Sequence, residues 1–160
     1  MKKIWILVLV LVILTGCSAK QTMENVEDVY ASVANQDRQS ISLDLPSDAV
    51  LTMVNGDRKL YCCKGYDIHI ETISSGDIDA TLRMLTGYDR SYLTVMEISA
   101  KDNMRYECVW TAAGEAGEIV GRTVILDDGN YHYCLSILSS ADDAGSLQET
   151  WNDLSVSFKI

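Results

Sequence analysis

Residues 118–138 read EIVGRTVILDDGNYHYCLSIL, two β-prone runs joined by Asp128-Gly129. An Asx-Gly pair tolerates the positive φ of a tight turn, so Glu118 to Leu126 and Asn130 to Leu138 are predicted to form a hairpin. Successive strand residues point to opposite sides, which places Tyr131, Tyr133, Leu135 and Ile137 on one face. Just upstream, Tyr92 to Ile98 leads through Asp102-Asn103 into Met104 to Thr111, whose Met104, Tyr106, Cys108 and Trp110 share a face. Four strands in two hairpins therefore read from 92 to 138. The glycine-rich link Gly114-Glu115-Ala116-Gly117-Glu118 carries two acids and no lysine, so it reads as a turn with a bulge rather than a phosphate cradle.

Moving toward the N-terminus, Ile78, Leu82 and Leu85 recur at helical spacing, with Asp77 and Asp79 suited to the start and Gly87 to the stop. Before them, Tyr66, Ile68, Ile70 and Thr72 alternate with Asp67, His69, Glu71 and Ile73, a strand with one apolar face and one largely charged face. Asn55-Gly56 separates Ala49 to Val54 from Lys59 to Cys63 and signals another hairpin. Ile41, Leu43 and Leu45 alternate before Pro46, which predicts a first strand over 40–45. Toward the C-terminus, Ala144, Leu147, Trp151 and Leu154 form a helical stripe, Ser140-x-x-Asp143 has the spacing of a capping box, and Ser155 to Ile160 reads as a last strand. Residues 39–160 thus make one α+β domain, an antiparallel sheet built from hairpins and flanked by helices.

The order of these elements, with the closing Tyr131-x-Tyr133-x-Leu135, Trp151 and Ser157-Phe158, resembles the PsbP-like fold and is similar to small lipoproteins of anaerobic Gram-positive bacteria. The resemblance implies a helix-flanked antiparallel sheet and a binding or assembly role rather than catalysis, although a fold alone does not transfer a function.

The N-terminus has its own logic. Lys2 and Lys3 precede an apolar run from Ile4 to Leu14, too short to cross a bilayer and of the length of a signal-peptide core. Leu14-Thr15-Gly16-Cys17 follows and resembles the lipobox of bacterial lipoproteins. That resemblance implies removal of residues 1–16, a diacylglyceryl thioether on Cys17 and acylation of its amine with a chain such as palmitate. Residues 17–38 then form a lipidated tether, with Val26, Val29, Tyr30 and Val33 at helical spacing between Glu24 and Asn35. The expected location is the extracytoplasmic face of the cell membrane.

The mature chain of 144 residues carries 11 Lys plus Arg against 23 Asp plus Glu, a net of −12. Such a surface repels nucleic acid and anionic lipid headgroups, leaving Cys17 as the membrane contact. Cys62, Cys63, Cys108 and Cys134 remain for the domain. They read first as free, small hydrophobes, with a bridge from Cys62 or Cys63 to Cys108 or Cys134 as the alternative. No Cys-x-x-Cys or His-x-x-x-His spacing marks a zinc site.

Three constellations could carry chemistry. Asp67-x-His69-x-Glu71 offers a divalent cation three ligands on one strand face, against a plain solvated face. His132-x-Cys134, with Ser136 on the same face, contains the minimum for thiol catalysis but lacks an orienting carboxylate, and packing explains it better. Asp127-Asp128-Gly129-Asn130 has oxygen ligands suited to calcium, yet the hairpin turn accounts for every residue. Eight aromatics, Tyr61, Tyr66, Tyr88, Tyr92, Trp110, Tyr131, Tyr133 and Trp151, exceed one apolar stripe; most are expected in the core, and some could line a groove. Catalytic, cofactor and metal residues are therefore not assigned, and Cys17 is the one assigned site. The expected function is a non-enzymatic, lipid-anchored binding or accessory module of the cell envelope, acting on an envelope protein or small ligand. The alternatives are a thiol-dependent hydrolase or transferase and a cation-binding module.

Overall fold

A computed structural model describes residues 38–160 except Ala116. The signal segment, the lipobox with Cys17, the tether and the helix pattern over 24–35 lie outside the described residues. Seven antiparallel strands form one sheet: β1 (Val50–Asn55), β2 (Arg58–Cys63), β3 (Tyr66–Ser74), β4 (Val95–Ser99), β5 (Met104–Gly114), β6 (Gly117–Asp127) and β7 (Tyr131–Ser140). Their order across the sheet is β1-β2-β3-β7-β6-β5-β4. Helix α1 (Ile78–Thr86) connects β3 to the far edge, and α2 (Gln148–Ser157) follows β7. The fold is α+β, as the hairpin pattern predicts.

The sheet is covered on both faces, and the period-2 pattern decides which residues go to which helix. On one face Ile68 and Ile70 of β3, Val124 of β6 and Tyr133, Leu135 and Ile137 of β7 pack with Leu147, Trp151, Leu154 and Phe158. On the other, Tyr106, Cys108 and Trp110 of β5, Ile125 and Cys134 surround Leu82 of α1. The two faces predicted for β5 and β7 therefore belong to opposite sides of the sheet. Gly121 is what lets Trp110 lie flat on β6: a Cβ there would sit 2.2 Å from the indole Cε2.

The helix over 78–86 has the predicted ends. Asp77 caps it by accepting from the Asp79 N–H, and Gly87 at φ +80° returns its own N–H to the Arg83 carbonyl. Both supply partners that a helix terminus otherwise lacks.

Four expectations need correction. Residues 40–45 do not form a strand; they run as an extended strap with one bridge, Ser42 to Lys159, before the chain turns over 46–49, where the Ala49 N–H bonds the Pro46 carbonyl, to enter β1. Ser155 to Ile160 is not a strand either, since α2 continues to Ser157 and leaves only Lys159 to bond the strap. The Ser140-Asp143 pair does form, with Ser140 Oγ donating to Asp143 Oδ2 at 2.8 Å, but it closes a separate turn, and α2 begins only at Gln148. Finally, Tyr92 lies in a 3-10 turn over Arg90–Tyr92, and the strand starts at Val95.

Candidate functional site

The sheet brings the two polar constellations side by side. Glu71 pairs with Cys134 and His69 with Ser136 across β3 and β7, so all of them face α1. Neither arrangement converges. Asp67, His69 and Glu71 are spaced along one strand by roughly 7 Å per pair of residues, and Glu71 Oε2 is taken by Arg58 at 2.7 Å and 2.9 Å. Among the described residues no group of three His, Cys, Asp or Glu side chains is placed to hold a metal ion. Burial lowers the affinity of His69 for its proton.

His132 is fully buried and acts as a clamp between α1 and the sheet. Its Nδ1 lies 2.8 Å from the Thr81 hydroxyl, and its Nε2 lies 3.4 Å from Ser75 Oγ and 3.5 Å from Asp127 Oδ2. A second chain of polar groups runs across the same face. Trp110 Nε1 donates to Thr123 Oγ1 at 3.0 Å, which in turn lies 2.9 Å from Ser136 Oγ. Every one of these groups is consumed by a neighbour, as buried polar groups require.

The thiols differ in burial: Cys108 and Cys134 are buried, Cys63 is half-buried, and Cys62 is exposed on β2, 3.6 Å from Thr52 Oγ1. Burial, reinforced by the Glu71 charge, pushes the Cys134 thiol well up, and burial alone pushes Cys108 up to about 11. Burial also raises Cys63, against the lowering effect of the Tyr66 hydroxyl. Thiolate, the nucleophilic form, is thereby disfavoured at all three. All four cysteines are free, which answers the bridge alternative geometrically. Cys62 and Cys63 on β2 are separated from Cys134 on β7 by β3, at least two strand spacings or roughly 9–10 Å, beyond the about 7 Å limit for a disulfide, and Cys108 on β5 lies two strands farther still.

The loops predicted as turns are turns. Gly129 has φ +89°. Asp127 accepts from its N–H, and Asp128 accepts from Asn130, Tyr131 and the Tyr133 hydroxyl. Burial opposes the Asp128 charge, but these donors outweigh it and hold the carboxyl below its ordinary range. Gly114 pairs directly with Gly117 in a tight β5–β6 hairpin. Of the eight aromatics, Tyr66, Trp110, Tyr131, Tyr133 and Trp151 are buried, whereas Tyr88 and Tyr92 are exposed and Tyr61 is half-buried.

What is left unspent is the β1–β2 hairpin. Its turn is Gly56-Asp57, one residue later than the Asn-Gly signal suggests, because Asn55 pairs with Arg58. All six β1 residues are exposed, including Val50 at 61%, Leu51 at 48%, Met53 at 47% and Val54 at 60%. Neither helix reaches this far across the sheet. On the face that α2 covers elsewhere, a groove of about 590 Å³ opens between the hairpin and the 38–45 strap, lined by Ile41, Leu43, Tyr61, Ile70 and the Lys59 ammonium. Sequence reasoning misses this site. An unbroken apolar run such as Val50-Leu51-Thr52-Met53-Val54 ordinarily signals a buried strand, and only its position at the sheet edge exposes it.

No family model matches the chain, and no curated protein matches it by sequence. Its shape does have counterparts. The chain is similar to the cyanobacterial PsbP protein CyanoP from Synechocystis, with a TM-score of 0.58 and 7% identity over 75% of this chain and 86% of that one. A protein from Bacteroides thetaiotaomicron gives a TM-score of 0.52 at 12% identity over 74% of this chain and 44% of that one. LpqN of Mycobacterium tuberculosis, described as involved in cell envelope biogenesis, gives 0.49 at 13% identity, covering 78% and 86%. At these identities the likeness is one of fold, and the fold is PsbP-like.

Proposed function

We propose that this protein is a non-enzymatic accessory module, anchored by lipid on Cys17 at the extracytoplasmic face of the membrane, that binds a partner through the β1–β2 hairpin. The observation that carries the reading is a contrast in how side chains are used. The groups capable of chemistry, His132, Cys134, Ser136 and Glu71, are each occupied by packing or by a neighbour. The apolar side chains of Val50, Leu51, Met53 and Val54 stand in solvent. Monomeric proteins seldom leave contiguous apolar surface uncovered unless something binds there. The signal segment and Leu14-Thr15-Gly16-Cys17 support the anchor.

Two measurements test it. A Cys17→Ser variant should leave the membrane fraction while keeping its melting temperature. A photoreactive residue replacing Met53 should cross-link a discrete partner in intact cells, and one replacing Tyr92, more exposed but on a remote turn, should not. Turnover of a defined substrate by the purified mature protein, abolished by one polar substitution, would refute the reading.

A further inference from the structure

The domain is acidic, yet its charge is unevenly spread. From 38 to 160 there are 10 basic and 19 acidic residues, a net of −9. The stretch 50–65 reverses this, with Arg58, Lys59 and Lys64 against Asp57 alone, a net of +2. The rest therefore carries −11. Asp57 is engaged by Arg38 at 2.5 Å, Arg58 by Glu71, and Asp48 by the Lys64 backbone N–H at 3.0 Å, while among the described residues no salt bridge occupies the Lys59 or Lys64 ammonium.

The two sheet edges are also finished differently. The β4 edge carries Glu97, tied to Arg90, which also holds Asp79. A charge at the centre of an edge strand blocks further pairing. β1 contains neither a charge nor a proline, and among the described residues nothing pairs with its outer side. Edge strands of this composition are templates for an added strand.

We infer that β1 accepts an extended, acidic segment of another protein as an eighth strand, with carboxylates of that segment facing Lys59 and Lys64. Backbone hydrogen bonds to β1 supply the affinity, one side of the added strand carries the carboxylates, and the other lays its apolar side chains against those of β1. The new strand lies two strand spacings from β2, roughly 9–10 Å, within reach of its lysines and comparable to the screening length at physiological salt. The register shift between Leu51 and Met53 leaves Thr52 as an extra residue, whose hydroxyl donates back to the Leu60 carbonyl. Such a bulge twists the edge. A second copy would bring two hairpins of like charge together across that twist, so a short acidic segment fits better.

This inference rests on the binding-module reading. It is tested on the mature Cys17→Ser protein with an eight-residue peptide alternating glutamate and valine, followed by amide hydrogen exchange. Amides of Val50–Asn55 should slow at least tenfold on saturation, with the β4 amides unchanged. Lys59→Gln with Lys64→Gln should weaken binding at least tenfold and flatten its salt dependence, and a lysine–valine peptide should bind the unsubstituted protein at least tenfold more weakly. Protection at β4 instead, equal binding of both peptides, no binding at millimolar peptide, or β1 protection from self-association in the absence of peptide would overturn it. Membrane release and cross-linking from position 53 report on the wider reading and do not depend on the peptide result.

Discussion

The β6–β7 and β1–β2 hairpins begin from similar material, β-branched and aliphatic residues around a turn with a positive-φ glycine, and end in opposite states. β7 is buried along Tyr131 to Ile137, with a helix over each face. β1 is exposed along its whole length. The difference lies in position rather than composition: β7 sits at the centre of the sheet, between β3 and β6, and β1 has a neighbour on one side only. Residue type sets what a strand could bury, and sheet order sets what it does bury.

The largest test of that contrast is a pair of truncations. Leu135→Ala should cost about 2–5 kcal/mol, because a fully buried leucine leaves a cavity when shortened. Val54→Ala should change stability by no more than about 0.5 kcal/mol, as expected for a surface site. Urea unfolding followed by tryptophan fluorescence compares them directly, and equal losses would mean that β1 is covered in solution. A smaller loss, about 1–3 kcal/mol in the same assay, should follow Gly121→Ala, since the added methyl meets the Trp110 ring and forces it from its place. If Gly121→Ala were neutral, the central hairpin would be looser than its packing indicates.

The smallest effect concerns the turn of the buried hairpin. The Asp128 carboxyl, held low by backbone and tyrosine donors, binds fewer protons folded than unfolded between its two pKa values. Stability therefore rises with pH through that window, is complete above the unfolded value of about 3.9, and is lost as pH falls through the folded one. Asp128→Asn should cost about 0.5–1.5 kcal/mol at pH 7 and flatten the acid limb of a melting-temperature profile. An unaltered acid limb would assign the acid sensitivity elsewhere.

Much of the architecture was legible from local pattern. The alternation of β3, the Asp77 and Gly87 ends of α1 and the residues that share a face on β5 and on β7 each follow from residues close in sequence. The errors share one physical cause, competition from distant partners. Ile41 and Leu43 alternate like a strand, but they are half-buried against the α2 core by a strap with only a single bridge to pair with. Ser155 to Ile160 has strand-like residues, but Leu154 and Ser155 are drawn into α2, where Ser155 receives Arg105. The candidate site was hidden for the same reason. Nothing within 50–55 records that β1 is the last strand of the sheet.

The bridge between Ser42 and Lys159 joins the start of the described chain to its end through two backbone hydrogen bonds, of 2.8 Å and 3.0 Å. A load applied at Arg38 meets that bridge, the Gln39 N–H on the Tyr133 hydroxyl and the Arg38–Asp57 pair before it meets the sheet. These contacts form a short series of weak links that opens one after another, as a zipper does. The strap is thus a mechanical fuse: pulled from its N-terminal side, the protein should lengthen by the twelve residues of 38–49 at low force while the seven strands stay paired.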